Sequence, residues 1–154
     1  MGKTLMYQSR MRPTVLMVEH EPSEIDLAQR AAIACGHEFA LVVLQDADAV
    51  LEWLSDDVRD SWKLPQLIMI NLRLPKLDGL AVLRKLRIDA ATRAIPILVF
   101  SEEYTQADVL MSYQVGANSF VAKPGDLQQF IEFFCEQLPY WLEPRHSKLS
   151  IAGR

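Results

Sequence analysis

The stretch "LIMINLRLPKLDG", residues 67–79, reads as a buried β-strand running into a proline-and-glycine turn. At the strand's exit stands Asn71, in the position where an α/β protein places its chemistry. Asp78 and Gly79 then open a helix. A strand, a short turn and a helix in that order are one half of a βαβ unit, so the flanking sequence decides whether the unit repeats.

It does. Upstream, "TVLMVEH" (14–20) is a short β-branched apolar run ending in polar residues, and "EPSEIDLAQRAAIACG" (21–36) follows as a helix. Pro22 suits that helix's first turn, and Ile25, Ala28, Ala32 and Cys35 recur at helical spacing before Gly36. "HEFALVVL" and "DADAVLEWLSDD" give a second pair, with Val50, Trp53 and Leu54 inward. Downstream, "GLAVLRKLRID" is the third helix, burying Leu80, Leu83 and Leu86. "IPILVFS" with "TQADVLMSYQVG" and "ANSFVAKP" with "GDLQQFIEFFCEQL" complete the series. The last helix carries Leu127, Phe130, Ile131, Phe134 and Leu138 on one stripe.

Five strands alternating with five helices predict an open, doubly wound parallel sheet of flavodoxin-like (βα)5 type. The expected organisation is an extension over 1–12, one domain over 13–138 and a tail over 139–154. About 16 residues after the last helix are too few for a DNA-binding or enzymatic output domain.

Composition narrows the function. The chain has 154 residues, 50% hydrophobic and 23% charged, which suits a globular domain rather than disorder. A net charge of −4 and the lack of a basic stripe speak against a nucleic-acid partner. The N-terminus offers no apolar run for a signal peptide or membrane span, so a cytoplasmic protein is expected. Two cysteines in separate helices, Cys35 and Cys135, read as free thiols in a reducing compartment. No G-x-G-x-x-G or G-x-x-x-x-G-K-[ST] loop supports a nucleotide-using enzyme, and no Ser-His-Asp arrangement is legible from spacing.

The strand ends place Glu19, His20, Asn71, Ser101 and Lys123 together. In type and spacing, "VLMVEHEPSEIDL", "LIMINLRLPKLDG", "IPILVFS" and "FVAKP" resemble the receiver domains of two-component response regulators. The resemblance covers residues 14–138. It implies that Lys123 is the phosphate-pairing lysine, with a cis bond to Pro124, and that Ser101 is the hydroxyl that contacts phosphate. It also implies that Glu19 is the first acid of the pocket, Phe120 the switch aromatic, and Arg73 the residue whose carbonyl reaches the metal.

Two positions depart from the pattern. His20 stands where the main metal-binding aspartate belongs, and Asn71 where the phosphoacceptor aspartate belongs. An amide is a poor nucleophile toward phosphorus and brings no charge to Mg²⁺, while histidine prefers transition metals. With only Glu19 left of three carboxylates, Mg²⁺ binding is expected to be weak or absent, and Glu19 and Lys123 could neutralise each other. Glu102, next to Ser101, would crowd a phosphoryl group or simply lie in solvent. Ser101 reads equally as a loop hydroxyl or a helix cap, and Asn71 as a residue satisfying the turn's backbone.

The expected function is therefore a stand-alone, atypical receiver that is not an enzyme and acts by protein contacts, with a histidine kinase or another signalling protein as partner. The alternatives are a phosphoacceptor using a non-standard site, or an unrelated enzyme on the same fold. Phe133, Tyr140, Trp141 and Leu142 form a candidate interface, read as a homodimer or partner contact against a tail folded onto the core. "PYWL" and "RIDAATRAIP" resemble the single-domain regulators associated with bacterial phytochromes, which commonly pair through the last helix and adjoining strand.

Overall fold

The computed structural model describes residues 12–36, 39–54, 64–76 and 78–143. Five parallel strands, β1 (Thr14–Val18), β2 (Ala40–Leu44), β3 (Leu67–Asn71), β4 (Ile97–Ser101) and β5 (Ser119–Ala122), form one sheet in the order β2-β1-β3-β4-β5. Between them run α1 (Pro22–Ala34), α2 (Ala47–Leu54), α3 (Gly79–Ile88) and α4 (Gln106–Val115), and α5 (Leu127–Glu132) follows β5. The last helix continues through a π-helical turn at Phe133–Gln137 into α6 (Leu138–Leu142). This is the flavodoxin-like doubly wound fold expected from the strand–helix alternation.

Period-two alternation along the strands builds two cores. Val15, Met17, Leu67, Met69, Leu98 and Phe100 meet Ala28, Ala31 and Ala32 of α1 and Phe130 and Phe134 of the last helix on one face. Leu16, Val18, Ile68, Ile70, Ile97 and Val99 meet Val50 of α2 and Val82, Leu83 and Leu86 of α3 on the other. β3 is buried along its whole length, which explains its unbroken apolar run. Leu80, expected inward with Leu83 and Leu86, is only half-buried, and Val82 takes the fully buried place.

Three expectations are corrected. Cys35 and Cys135 are not free thiols but form a disulfide. Helices α1 and α5 cover the same sheet face, and this brings the two Cα atoms to 5.6 Å, within bridging range. The Lys123–Pro124 bond is trans, the intrinsically preferred isomer, and no cis peptide occurs among the described residues. Phe133 is 4% exposed, packed into the core beside Phe134 at 5.9 Å between ring centroids.

The turn after β3 is held from both sides. Asp78 caps α3, its side chain accepting from the Ala81 amide at 2.9 Å, and the Gly79 N–H donates to the Leu72 carbonyl at 2.9 Å. A Cβ on Gly79 would overlap the Asn71 carbonyl oxygen and come within 2.9 Å of Leu72 Cα. Both neighbours are backbone and cannot step aside. Gly79→Ala is therefore expected to cost about 1–3 kcal/mol of stability, read as a lower urea midpoint at unchanged m-value.

Candidate functional site

The site is assembled by the backbone just beyond the carboxyl ends of the strands. The Glu19 N–H donates to the Leu44 carbonyl at 3.1 Å, the Leu72 N–H to Phe100 at 2.9 Å and the Lys123 N–H to Ser101 at 2.9 Å. Glu19, Asn71, Ser101 and Lys123 thus converge at the switch point where β1 lies between β2 and β3.

Glu19 is the centre. Its residue is 0% exposed, and one carboxylate oxygen, Oε1, accepts from Lys123 Nζ at 2.6 Å. The other, Oε2, accepts from the side-chain amide of Asn71, itself 4% exposed. Asn71 Oδ1 in turn accepts the backbone N–H of Arg73 at 3.0 Å, the turn-satisfying role that asparagine performs well. Lys123, its side chain 6% exposed, also sits 5.4 Å from the Phe100 ring centroid, a cation–π contact. Charges this deeply buried persist only when paired and hydrogen-bonded.

Around this core lies a shallow cleft of about 190 Å³, whose lining includes Glu21, Glu24, Glu102 and Glu103. Ser101 Oγ does not face it as a free donor; it donates to the Glu103 carbonyl at 2.7 Å, and Thr105 is the residue that caps α4. His20 is half-buried, with Nε2 3.8 Å from the Glu21 carboxylate and Nδ1 buried without a hydrogen-bond partner. Among the described residues no group of three His, Cys, Asp or Glu is placed to hold a metal ion.

Three contributors are not among the residues singled out from the sequence, or gain a role there that it did not suggest. Glu24, from the first turns of α1, points its carboxylate toward Lys123 at 4.0 Å, beyond hydrogen-bond reach, and its Oε2 is buried without a partner. Burial raises its pKa, Lys123 opposes the rise, and Glu19, Glu102 and Glu21 reinforce it. Arg73 pairs with Asp108 at 3.0 Å, tying the turn after β3 to the first turn of α4. The Asp108 carboxyl is held below its ordinary range, first by the Thr105 backbone N–H, with the Thr105 hydroxyl and Arg73 adding. The T-x-x-D pattern of residues 105–108 is a capping box and was the available signal for Asp108.

The remaining candidates lie apart. Phe120 is half-buried on β5, edge-to-face with Tyr104 at 4.8 Å between centroids, and its N–H donates to the Tyr113 hydroxyl. Trp141 and Leu142 are half-buried against the α1–α5 core, while Tyr140 is 51% exposed. Of the four candidate interface residues, Phe133 is excluded by burial.

Comparison with known proteins fits this arrangement of strand ends. The profile of the response regulator receiver domain matches residues 15–134. The chain belongs to that family. Among its relatives are the probable methanogenesis regulatory protein FilR2 of Methanothrix harundinacea (strain 6Ac), 31% identical over 83% of each chain, and the response regulator Rcp1 of Synechocystis sp., 26% identical over 88% of this chain and 93% of Rcp1. The phosphorylated cyanobacterial phytochrome response regulator RcpA superposes with a TM-score of 0.75 at 26% identity, covering 86% of this chain and 95% of RcpA. This receiver is thus a two-component signalling protein, close to the phytochrome response regulators.

Two predictions follow from the receiver's ion pairs. Lys123→Met leaves Glu19 as a buried, uncompensated charge and should cost about 3–5 kcal/mol. Adding Glu19→Gln should recover most of that loss in a double-mutant cycle by denaturant unfolding. Glu24, whose pKa burial raises above its ordinary value, binds protons more tightly when folded, so ionised Glu24 opposes folding at neutral pH. Glu24→Gln should therefore raise the unfolding midpoint at pH 7. The advantage should shrink as pH falls through the raised pKa and vanish below the unfolded value, with wild type and variant compared at each pH.

Proposed function

We propose that this receiver signals through protein contacts and does not use aspartyl phosphate chemistry at the position of Asn71. One observation carries the proposal: both oxygens of Glu19, the buried acid of the site, are already taken by Lys123 and Asn71. Mg²⁺ takes oxygen ligands and is usually anchored by one or two carboxylates, and this donor set does not suit it. The acid is closed off, the amide offers Glu19 its N–H and not an oxygen, and His20 is an imidazole. The groups that would hold phosphoryl oxygens are equally engaged, Ser101 with the Glu103 carbonyl and Lys123 with Glu19. Glu24, Glu102 and Glu103 line the cleft with like charge against an incoming phosphate.

In this reading the receiver, over residues 13–138, is held in one state by Glu19–Lys123. Its partner is a cytoplasmic signalling protein such as a histidine kinase, or a second copy meeting it through the face that bears Tyr140. The match spans 93% of the length of Rcp1.

Intact mass after incubation with acetyl phosphate and Mg²⁺ tests the proposal. The wild type should gain no phosphoryl group and show no saturable tryptophan response to millimolar Mg²⁺, whereas His20→Asp/Asn71→Asp should bind Mg²⁺. A stable gain of one phosphoryl group by the wild type, lost in Glu24→Gln or another cleft variant, would overturn it.

A further inference from the structure

The disulfide lies at the end of the molecule opposite the cleft, and the receiver's site makes no use of it. Cys35 is the residue that ends α1, and Cys135 sits within the π-helical turn of the last helix. The bridge closes a loop of 100 residues, so it joins the first helix of the fold directly to the last.

We propose that Cys35–Cys135 is a thiol–disulfide exchange site, taking small thiols and disulfides of the glutathione class, and that its redox state sets the mobility of the helix end carrying Tyr140 and Trp141. Three observations support it. Cys135 is solvent-exposed while Cys35 is half-buried, so an incoming thiolate has access to one sulfur in preference to the other. Cys35 Sγ lies 3.6 Å from the Ile131 carbonyl, an acceptor ready for the S–H that reduction creates, so the reduced thiol is accommodated where it stands. The chain has two cysteines, so the pair can open and close without reshuffling to a wrong partner.

The chemistry balances in both directions. A thiolate RS⁻ attacks Cys135 Sγ, the Cys135–Cys35 bond breaks, and Cys35 leaves as thiolate and takes a proton. A second RS⁻ attacks the RS sulfur of the mixed disulfide, forming RSSR and releasing Cys135 as thiolate. Two electrons pass from two thiols to the protein, and oxidation by RSSR reverses each step.

Opening the bridge does not undo the core. Phe130, Phe134 and Leu138 are buried with Ala28, Ala31 and Phe39 in one apolar cluster, whose packing does not depend on the S–S bond. What it removes is the covalent tie on the π-helical turn, where the regular α-helical bonding of the last helix is interrupted. Beyond it Trp141 and Leu142 rest half-buried on the same core, and Tyr140 packs edge-to-face on Trp141 at 5.1 Å.

The test uses the full-length chain, native throughout, equilibrated in reduced/oxidised glutathione buffers, quenched by alkylation and read by intact mass. The disulfide fraction should change reversibly with the buffer ratio. In Cys35→Ser, Cys135 should form a mixed disulfide with glutathione several-fold faster than Cys35 does in Cys135→Ser. Amide hydrogen exchange over residues 133–142 should rise on reduction of the wild type, while the β-strands stay protected. A bridge that resists every glutathione ratio until denaturant is added would overturn the proposal. So would thiols that oxidised glutathione never joins, or an exchange pattern over 133–142 that is the same in both redox states.

Discussion

A carboxylate with no access to water must have its charge answered by neighbours, and much of the cleft follows from how Glu19 meets that requirement. Lys123 supplies the opposite charge to one oxygen and Asn71 supplies an N–H to the other. The amide at position 71 is what allows this. It donates to Glu19 and accepts from the Arg73 N–H at the same time. An ionised aspartate could accept from Arg73 but would press a second negative charge against Glu19 with no proton between them. The polar centre is thus self-sufficient, three side chains closing on one another with their backbone positions fixed by the sheet's hydrogen-bond ladder.

The fold was legible because its determinants are local and repeated. Apolar runs such as "LIMI" and helix signals such as Pro22, Asp78 and Gly116 recur in strict alternation, and handed crossovers leave little topological choice. The centre of the cleft was legible for a related reason: strand ends converge in this fold, so Glu19, Asn71, Ser101 and Lys123 could be placed together. The pairing of Glu19 with Lys123 needed only charge balance. Glu24 and Asp108 were harder, because they enter from helices whose rotation about their own axes decides which side chains reach the cleft. The cysteines show the limit of spacing arguments. Sequence treats residues 35 and 135 as distant, whereas the doubly wound order lays their helices side by side. Phe133 fails for a different reason: a stripe drawn along one face of the helix leaves it outside, whereas the core reaches round to bury it beside Phe134.

The two ends of the sheet are built on different principles. At the carboxyl ends, acids outnumber the cations that answer them. At the opposite end Arg87 binds the loops, donating to the carbonyls of Gly116, Arg93 and Ile95 and to the Asn118 side chain, at 2.7–3.1 Å. Burial lowers the Arg87 pKa from its usual value, yet a guanidinium remains charged at any physiological pH. These Arg87 contacts are therefore indifferent to pH over the physiological range.

Asp108 belongs to two structures at once. As the third residue of α4 it closes a capping box with Thr105, and as the partner of Arg73 it answers to the turn that follows Asn71. The start of α4 is consequently a seam: the carboxylate that closes the helix's first turn is the same one that anchors the β3 turn.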